Sequence, residues 1–234
     1  MKRFIGLALL IACSSVANAA IITWKIDGVI TSGSGGSTWT GGASSGDSFE
    51  VLVTFNDASP GTPHGDSSVA YNSTIQSLQM TINGHTEVMT VDGLAGPNGF
   101  EDERRIVVGN DSEVAGQPQD GFYIDNRDRM ESIVTPGENR HEYLHVYWGD
   151  RRPLAEGSSM LNSTELLSSP DVLSTANYSH QMAWGFSDFG TDPYTGVQLL
   201  GNIVSASVIP VPAAFWLFAS GLGLLGWRRK HAGT

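Results

Sequence analysis

The chain has 234 residues, with 24 acidic against 13 basic side chains and a formal net charge of −11 at pH 7. This acidic balance argues against nucleic acid and anionic lipid as partners, because both are polyanions. With one cysteine in the sequence, an intrachain disulfide framework is excluded.

Residues 1–19 have the pattern of a secretory signal. A basic pair precedes an apolar run over residues 4–12, and Ala17 and Ala19 form an A-x-A cleavage site before Ala20. We therefore predict an N-terminal signal helix that is removed by cleavage, and a mature chain that contains no cysteine.

Lipidation is the alternative at this end of the chain. Residues 10–13 (Leu-Ile-Ala-Cys) resemble a lipobox in which Cys13 is the lipidated residue. That signal is unusually short, and a good A-x-A site follows it, so we prefer cleavage before Ala20.

The middle of the chain is predicted to be β structure. Residues 48–55 alternate, with Phe49, Val51, Val53 and Phe55 on one face. The predicted strands are residues 21–31, 48–55, 77–82, 85–91, 105–109, 121–125, 142–148, 181–186 and 198–208. Asn-Gly at 83–84 is a strong signal for a two-residue hairpin, and residues 158–168 are the best candidate for a short helix. Many short strands with frequent turn signals predict a single all-β domain over residues 20–207, an antiparallel β-sandwich or jelly roll.

The predicted domain is more acidic than the whole chain. All 24 acidic residues lie within it, whereas five of the 13 basic residues belong to the two terminal segments. Eight basic residues therefore remain, and the domain carries a net charge of −16. This charge suits an exported domain that does not bind nucleic acid.

One motif suggests catalysis. His141, Glu142 and His145 match H-E-x-x-H, in which a helix places two histidines on one zinc ion and a glutamate beside the bound water. However, residues 143–148 alternate as a strand does, and the two histidines would then lie about 13 Å apart. We therefore predict a chance match on a strand and keep a zinc protease as the alternative.

An acidic segment suggests a second site. Asp120, Asp125, Asn126 and Asp128 offer carboxylate and amide oxygens, the ligands that Ca²⁺ prefers. The spacing does not match an EF-hand loop, and nearby arginines can pair with these acids. Calcium is thus the one cofactor for which the sequence offers candidates, and a salt-bridged turn is the alternative.

Carbohydrate chemistry also stays open. Paired carboxylates suitable for a glycosidase cannot be recognised without spatial separations. Aromatic side chains can fill the core or form a sugar-stacking face, and we favour the core. The aromatic residues considered are Trp24, Trp39, Tyr123, Tyr143, Tyr147, Trp148, Trp184 and Tyr194.

The end of the chain combines a proline pair, an apolar run and a basic stop. From residue 213 to residue 227 the only polar side chain is Ser220, and three basic residues follow. Fifteen helical residues span about 22 Å, whereas residues 208–227 reach a spanning length for a hydrocarbon core of about 30 Å. We predict a transmembrane helix at about residues 213–227 with a cytoplasmic C-terminus. The alternative is a buried core helix.

These residues resemble a PEP-CTERM sorting signal, the C-terminal tag of Gram-negative exosortase substrates. The resemblance spans residues 208–230, leaving residues 231–234 as a short tail, and it includes the variant Val-Pro-Ala-Ala-x-Trp-Leu-Phe. Pro-Val-Pro at 210–212 stands where the family name implies Pro-Glu-Pro. The matching residues are Pro210, Pro212, Ala213, Ala214, Trp216, Gly221, Arg228, Arg229 and Lys230.

The resemblance implies a route for the protein. An exosortase in the inner membrane would recognise the tag and remove the tail, and the domain would then be released or attached at the cell surface, often with exopolysaccharide. We thus expect a non-enzymatic exported protein of the envelope or extracellular matrix. The alternatives are an extracellular hydrolase and a carbohydrate-binding module.

Overall fold

The computed structural model describes residues 20–34, 43–89, 103–114, 117–131, 139–151, 160–188 and 197–210. The predicted signal helix and the predicted transmembrane helix lie outside these residues. The strands are β1 (Ile21–Ser34), β2 (Ser48–Asn56), β3 (Thr62–Pro63), β4 (Ser68–Asn72), β5 (Ile75–Ile82), β6 (His85–Met89), β7 (Glu103–Val114), β8 (Gln117–Glu131), β9 (Asn139–Arg151), β10 (Ser179–Asp188) and β11 (Val197–Val208).

All eleven of these strands belong to one sheet, in the order β3-β4-β7-β8-β9-β10-β11-β1-β2-β5-β6, and every pairing is antiparallel. The prediction of an all-β antiparallel fold is confirmed. The one sheet curls so that strands of its two halves face each other.

Aromatic side chains show how the sheet curls. Trp24 on β1 stacks on Phe122 of β8 with ring centroids 5.2 Å apart, although three strands separate β1 from β8 in the sheet. Trp24 also meets Phe55 edge to face at 5.2 Å, and Phe122 meets Trp148 at 6.1 Å. These rings are almost fully buried. The concave inner face of the sheet therefore forms the core.

The hairpin predicted at residues 83–84 is confirmed. Asn83 and Gly84 both have positive φ, 52° and 77°, as a type I′ turn requires between β5 and β6. The Asn83 side chain donates to Asp47 Oδ2 at 2.9 Å, which holds this turn against the start of β2.

The helix predicted at residues 158–168 is wrong over its described part, residues 160–168, which form bends. A short 3-10 helix lies further on, at Asp171–Thr175. Met160, Leu161 and Leu173 from this region are buried, so the segment packs into the core. Packing of these apolar side chains, rather than helical periodicity, positions the segment.

The first and last strands are neighbours. β1 pairs with β11 from Trp24 opposite Val208, and the amide of Ile209 donates to the carbonyl of Thr23 at 2.8 Å. The described chain therefore enters at Ala20 and leaves at Pro210 from the same end of the sheet.

Candidate functional site

The outer face of β7, β8 and β9 carries a groove of about 450 Å³, which we call the outer groove. Strand alternation directs Phe122 and Ile124 into the core and Tyr123 and Asp125 outward. The polar and aromatic side chains that line the groove are His64, Ser68, Arg105, Ser112, Gln119, Tyr123, Asp125 and His145.

Three of these residues form a row across the sheet. Arg105 lies opposite Asp125, and Asp125 lies opposite His145. His145 Nδ1 is 2.7 Å from Asp125 Oδ1, and Arg105 Nη2 is 3.5 Å from Asp125 Oδ2. The Asp125 side chain is only 8% exposed, because its two partners cover it. The carboxylate lies against the Nδ1 side of the His145 ring, so Nε2 is the ring nitrogen farther from Asp125.

The next row combines two tyrosines. Tyr123 and Tyr147 are directly opposite each other, and their rings stack with centroids 4.4 Å apart at 20°. Gln119 Nε2 donates to Tyr147 Oη. Burial raises the pKa of Tyr147, and the neighbouring Tyr123 raises it further. The Tyr147 phenol thus stays protonated and rigidly placed.

Glycines make room for these rings. Gly109, Gly121 and Gly149 lie opposite one another on β7, β8 and β9. A Cβ at Gly121 would lie 2.6 Å from Tyr123 Cε2, and a Cβ at Gly149 would collide with the Tyr147 hydroxyl. The two stacked tyrosine rings therefore lean along their strands over positions that carry no side chain.

The H-E-x-x-H residues lie on β9, which is a strand throughout residues 139–151. The helical geometry that a zincin requires is not formed there. His141 pairs with Arg129 and Ser187, and Glu142 pairs with Asp128 and Phe186. The side chains of His141 and Glu142 lie outside the described residues.

The four calcium candidates are spread along β8. Asp120 and Asn126 point inward and are fully buried, whereas Asp125 points outward. Asp120 accepts from the backbone amides of Asp111 at 2.9 Å and Leu161 at 2.7 Å. Asn126 accepts from Arg104 Nε at 3.0 Å. The structure does not bring Asp120, Asp125 and Asn126 together, and the side chain of Asp128 is outside the described residues.

Within the described part of the chain, no group of three or more His, Cys, Asp or Glu side chains is placed to hold a metal ion. Asp125 and His145 are the two metal-ligating side chain types that meet in the outer groove. The arginine that pairs with Asp125 is Arg105 on β7. The side chains of Arg127 and Arg129, which lie within the acidic segment itself, are outside the described residues.

The predicted aromatic residues divide between the two faces. Trp24, Trp148 and Trp184 lie in the core, and Tyr123, Tyr143 and Tyr147 lie on the outer face. Burial raises the pKa of Tyr143, while a hydrogen bond with Gln198 opposes this shift. Trp39 and Tyr194 are outside the described residues.

Sequence reasoning missed Arg105 and Gln119 as parts of a site, and it assigned His145 and Asp125 to two different hypothetical metals. The signal that links them is strand alternation, which places Arg105, Asp125 and His145 on outward positions of three strands. The register that aligns them is not encoded in any one segment.

The predicted terminal signals fall almost wholly outside the described residues. Among the residues of the predicted cleavage site, Ala20 is described, and its amide donates to Asp57 Oδ1 at 2.9 Å; Ala17 and Ala19 lie outside. Of the residues that match a sorting signal, only Pro210 is described, and it is exposed. Among the residues that the structure describes, no helix combines the length and apolar character needed to span a bilayer.

No protein-family model matches the chain, and neither a curated protein nor a solved structure shows significant similarity to it.

Proposed function

We propose that the chain is an exported, non-enzymatic protein of a Gram-negative envelope or extracellular matrix, sorted by an exosortase. The observation that carries this proposal is the order of the C-terminal segment, with a proline pair, an apolar run and three basic residues. The precursor would be held in the inner membrane by residues 213–227. Removal of the tail would place the domain at the cell surface or in the matrix, alongside exopolysaccharide.

The ends of the folded domain support this route. Ala20 and Pro210 leave the sheet at the same end, because β1 and β11 are antiparallel neighbours. Both predicted membrane segments would therefore extend from one end of the domain. Cleavage before residue 20 and beyond residue 210 would leave every described strand intact.

The finer architecture belongs to the same proposal. We expect a signal helix within residues 1–19 and a transmembrane helix at about residues 213–227, on either side of a sandwich-like domain of the jelly-roll type. The two facing halves of the curled sheet and the buried aromatic rings between them support the sandwich-like description.

One observation supports a non-enzymatic role over a zinc protease. Residues 139–151 are a strand, whereas the zincin motif acts from a helix. In a strand, the side chains of residues 141 and 145 are about 13 Å apart, too far to share one zinc ion.

The experiment compares the full chain in cells with and without an exosortase. With the enzyme present, we expect the domain outside the inner membrane. Without it, the domain should stay in the inner-membrane fraction. A variant in which Arg228, Arg229 and Lys230 are replaced by Gln should also lose correct sorting, whereas Arg151→Gln, a change within the domain, should not. Release that is independent of the exosortase would contradict the proposal.

A further inference from the structure

We propose that the outer groove binds a neutral saccharide, with a pyranose ring on Tyr123 and its hydroxyl groups hydrogen-bonded by the Arg105–Asp125–His145 row. The proposal concerns the folded domain alone and does not depend on how the chain is sorted. A volume of about 450 Å³ lies within the range of small-molecule sites, about 300–1,000 Å³.

Tyr123 provides the flat surface. Its residue is 36% exposed, while Tyr147 stacks behind it at 4.4 Å and Gly121 leaves space beneath the ring. Tyr147 is in turn held by the hydrogen bond from Gln119. Because the ring is already fixed, a ligand that stacks on it loses little side-chain entropy from the protein. The C–H face of a pyranose is a suitable partner for such a ring, since it is apolar and nearly flat.

The polar row follows this ring along the outer groove. Asp125 and Tyr123 are two residues apart on the same face of β8, and both line the groove. Arg105 offers N–H donors at 19% side-chain exposure and His145 offers Nε2 at 35%, while Asp125, only 8% exposed, holds these two side chains in place. A vicinal pair of sugar hydroxyls both donates and accepts, so it can hydrogen-bond to the guanidinium and to the exposed ring nitrogen of His145.

Charge favours an uncharged ligand. The positive charge of Arg105 and the negative charge of Asp125 cancel across 3.5 Å, so the row has little net charge. The domain around it carries an excess of acidic residues, which disfavours a polyanion. A free cation has too few ligands, because only Asp125 and His145 of the row are ligands that metals commonly take. A neutral sugar ring with many hydroxyl groups fits the small net charge of the row and the acidic surroundings, and it requires no metal ligands.

The test uses the full chain in a detergent without a sugar head group, because maltoside and glucoside detergents would compete for the site. The probes are neutral glucose, mannose, galactose and xylose oligosaccharides, with galacturonic acid oligomers as the charged comparison. Binding is measured by saturation-transfer NMR and titration calorimetry. We expect at least one neutral oligosaccharide to bind with a Kd of about 1 mM or tighter.

Variants locate the binding. Tyr123→Ala should weaken the affinity about tenfold or more, and Asp125→Asn should also weaken it. Tyr178→Ala is the matched control, because Tyr178 is an exposed tyrosine, 58% accessible, that does not line the groove. The affinity of the Tyr178→Ala variant for the saccharide should stay within about twofold of that of the parent. If Tyr123→Ala does not fold, Tyr123→Leu keeps apolar bulk over Gly121 but removes the flat ring, and it should show the same loss.

Three results would overturn the proposal. One is that no neutral oligosaccharide binds at about 1 mM. Another is that a neutral sugar binds equally well to the parent and to the Tyr123 variant. The third is a preference for the galacturonic acid oligomers, since the paired charges of Arg105 and Asp125 predict the opposite order.

Discussion

Replacing Asp120 tests whether this side chain has a structural role or binds calcium. It is fully buried on the inner face of β8, and both carboxylate oxygens accept backbone amides, from Asp111 at 2.9 Å and from Leu161 at 2.7 Å. Asp111 has φ of +53° at an irregularity in β7, and Leu161 is buried in the segment between β9 and the 3-10 helix. The carboxylate thus hydrogen-bonds to the backbone at Asp111 and at Leu161, where neither residue is paired with a neighbouring strand.

The loss of stability expected for Asp120→Asn follows from these two hydrogen bonds. A hydrogen bond to a charged group contributes about 1.5–3 kcal/mol, and an unsatisfied buried donor costs about 1–3 kcal/mol. Asp120→Asn keeps one acceptor oxygen but places an NH₂ group against the other backbone N–H. We therefore expect a loss of about 2–4 kcal/mol in the free energy of unfolding, which lowers the Tm by roughly 5–15 °C for a domain of this size.

Thermal unfolding of the full chain, followed by near-UV circular dichroism in EDTA and in calcium, measures this loss. Asp66→Asn is the matched control, because Asp66 is exposed and the change removes the same charge; it should alter the free energy of unfolding by less than about 0.5 kcal/mol. Asp120→Asn should cost the same with and without calcium. A loss confined to the calcium sample, or one no larger than that of Asp66→Asn, would refute the reasoning.

Three further changes test other parts of the structure. Burial raises the pKa of Tyr147 above 10.0, so the unfolded chain loses this phenolic proton at a lower pH than the folded chain does. The free energy of unfolding should therefore fall as pH rises above about 10. In urea titrations, Tyr147→Phe should show a smaller fall over the same pH range. Gly28→Ala would push a Cβ against the Phe49 ring and the Asn202 carbonyl, and it should cost about 1–3 kcal/mol or more by urea unfolding, whereas Val29→Ala should cost less. The purified chain should contain no stoichiometric zinc, and any casein cleavage should be equal in the parent and in Glu142→Gln; zinc-dependent cleavage lost in Glu142→Gln would restore the protease.

Most strands were predictable because each carries its own alternation. Residues 48–55 place Phe49, Val51, Val53 and Phe55 on one face, and all four are buried in the structure. β3 and β4 were missed, since β3 spans only two residues and the intervening turn contains Gly65 with a positive φ. Short strands of this kind form because their neighbours pair with them.

The candidate site was predictable only in pieces. Tyr143, His145 and Tyr147 alternate, so their placement on one face of a strand followed from the sequence. Asp125 lies 20 residues before His145, and only the register between β8 and β9 brings the two side chains to 2.7 Å. Two local motifs, one for zinc and one for calcium, therefore contributed one residue each to a single ion-paired row.

The order of the strands in the sheet also could not be predicted from the sequence. β1 pairs with β11 across the whole length of the domain, and β4 pairs with β7 rather than with β5. Such contacts depend on which inner faces bury together, for example Trp24 against Phe122, and no local pattern specifies the partner.

The mass of the mature C-terminal peptide tests the sorting proposal most directly. Protein recovered from outside the inner membrane of exosortase-containing cells is digested, and its last peptide is identified by mass spectrometry. The proposal predicts a terminus that lacks Arg228, Arg229 and Lys230, and an uncut terminus in cells without the exosortase. An exported protein that retains residues 228–230 would contradict it.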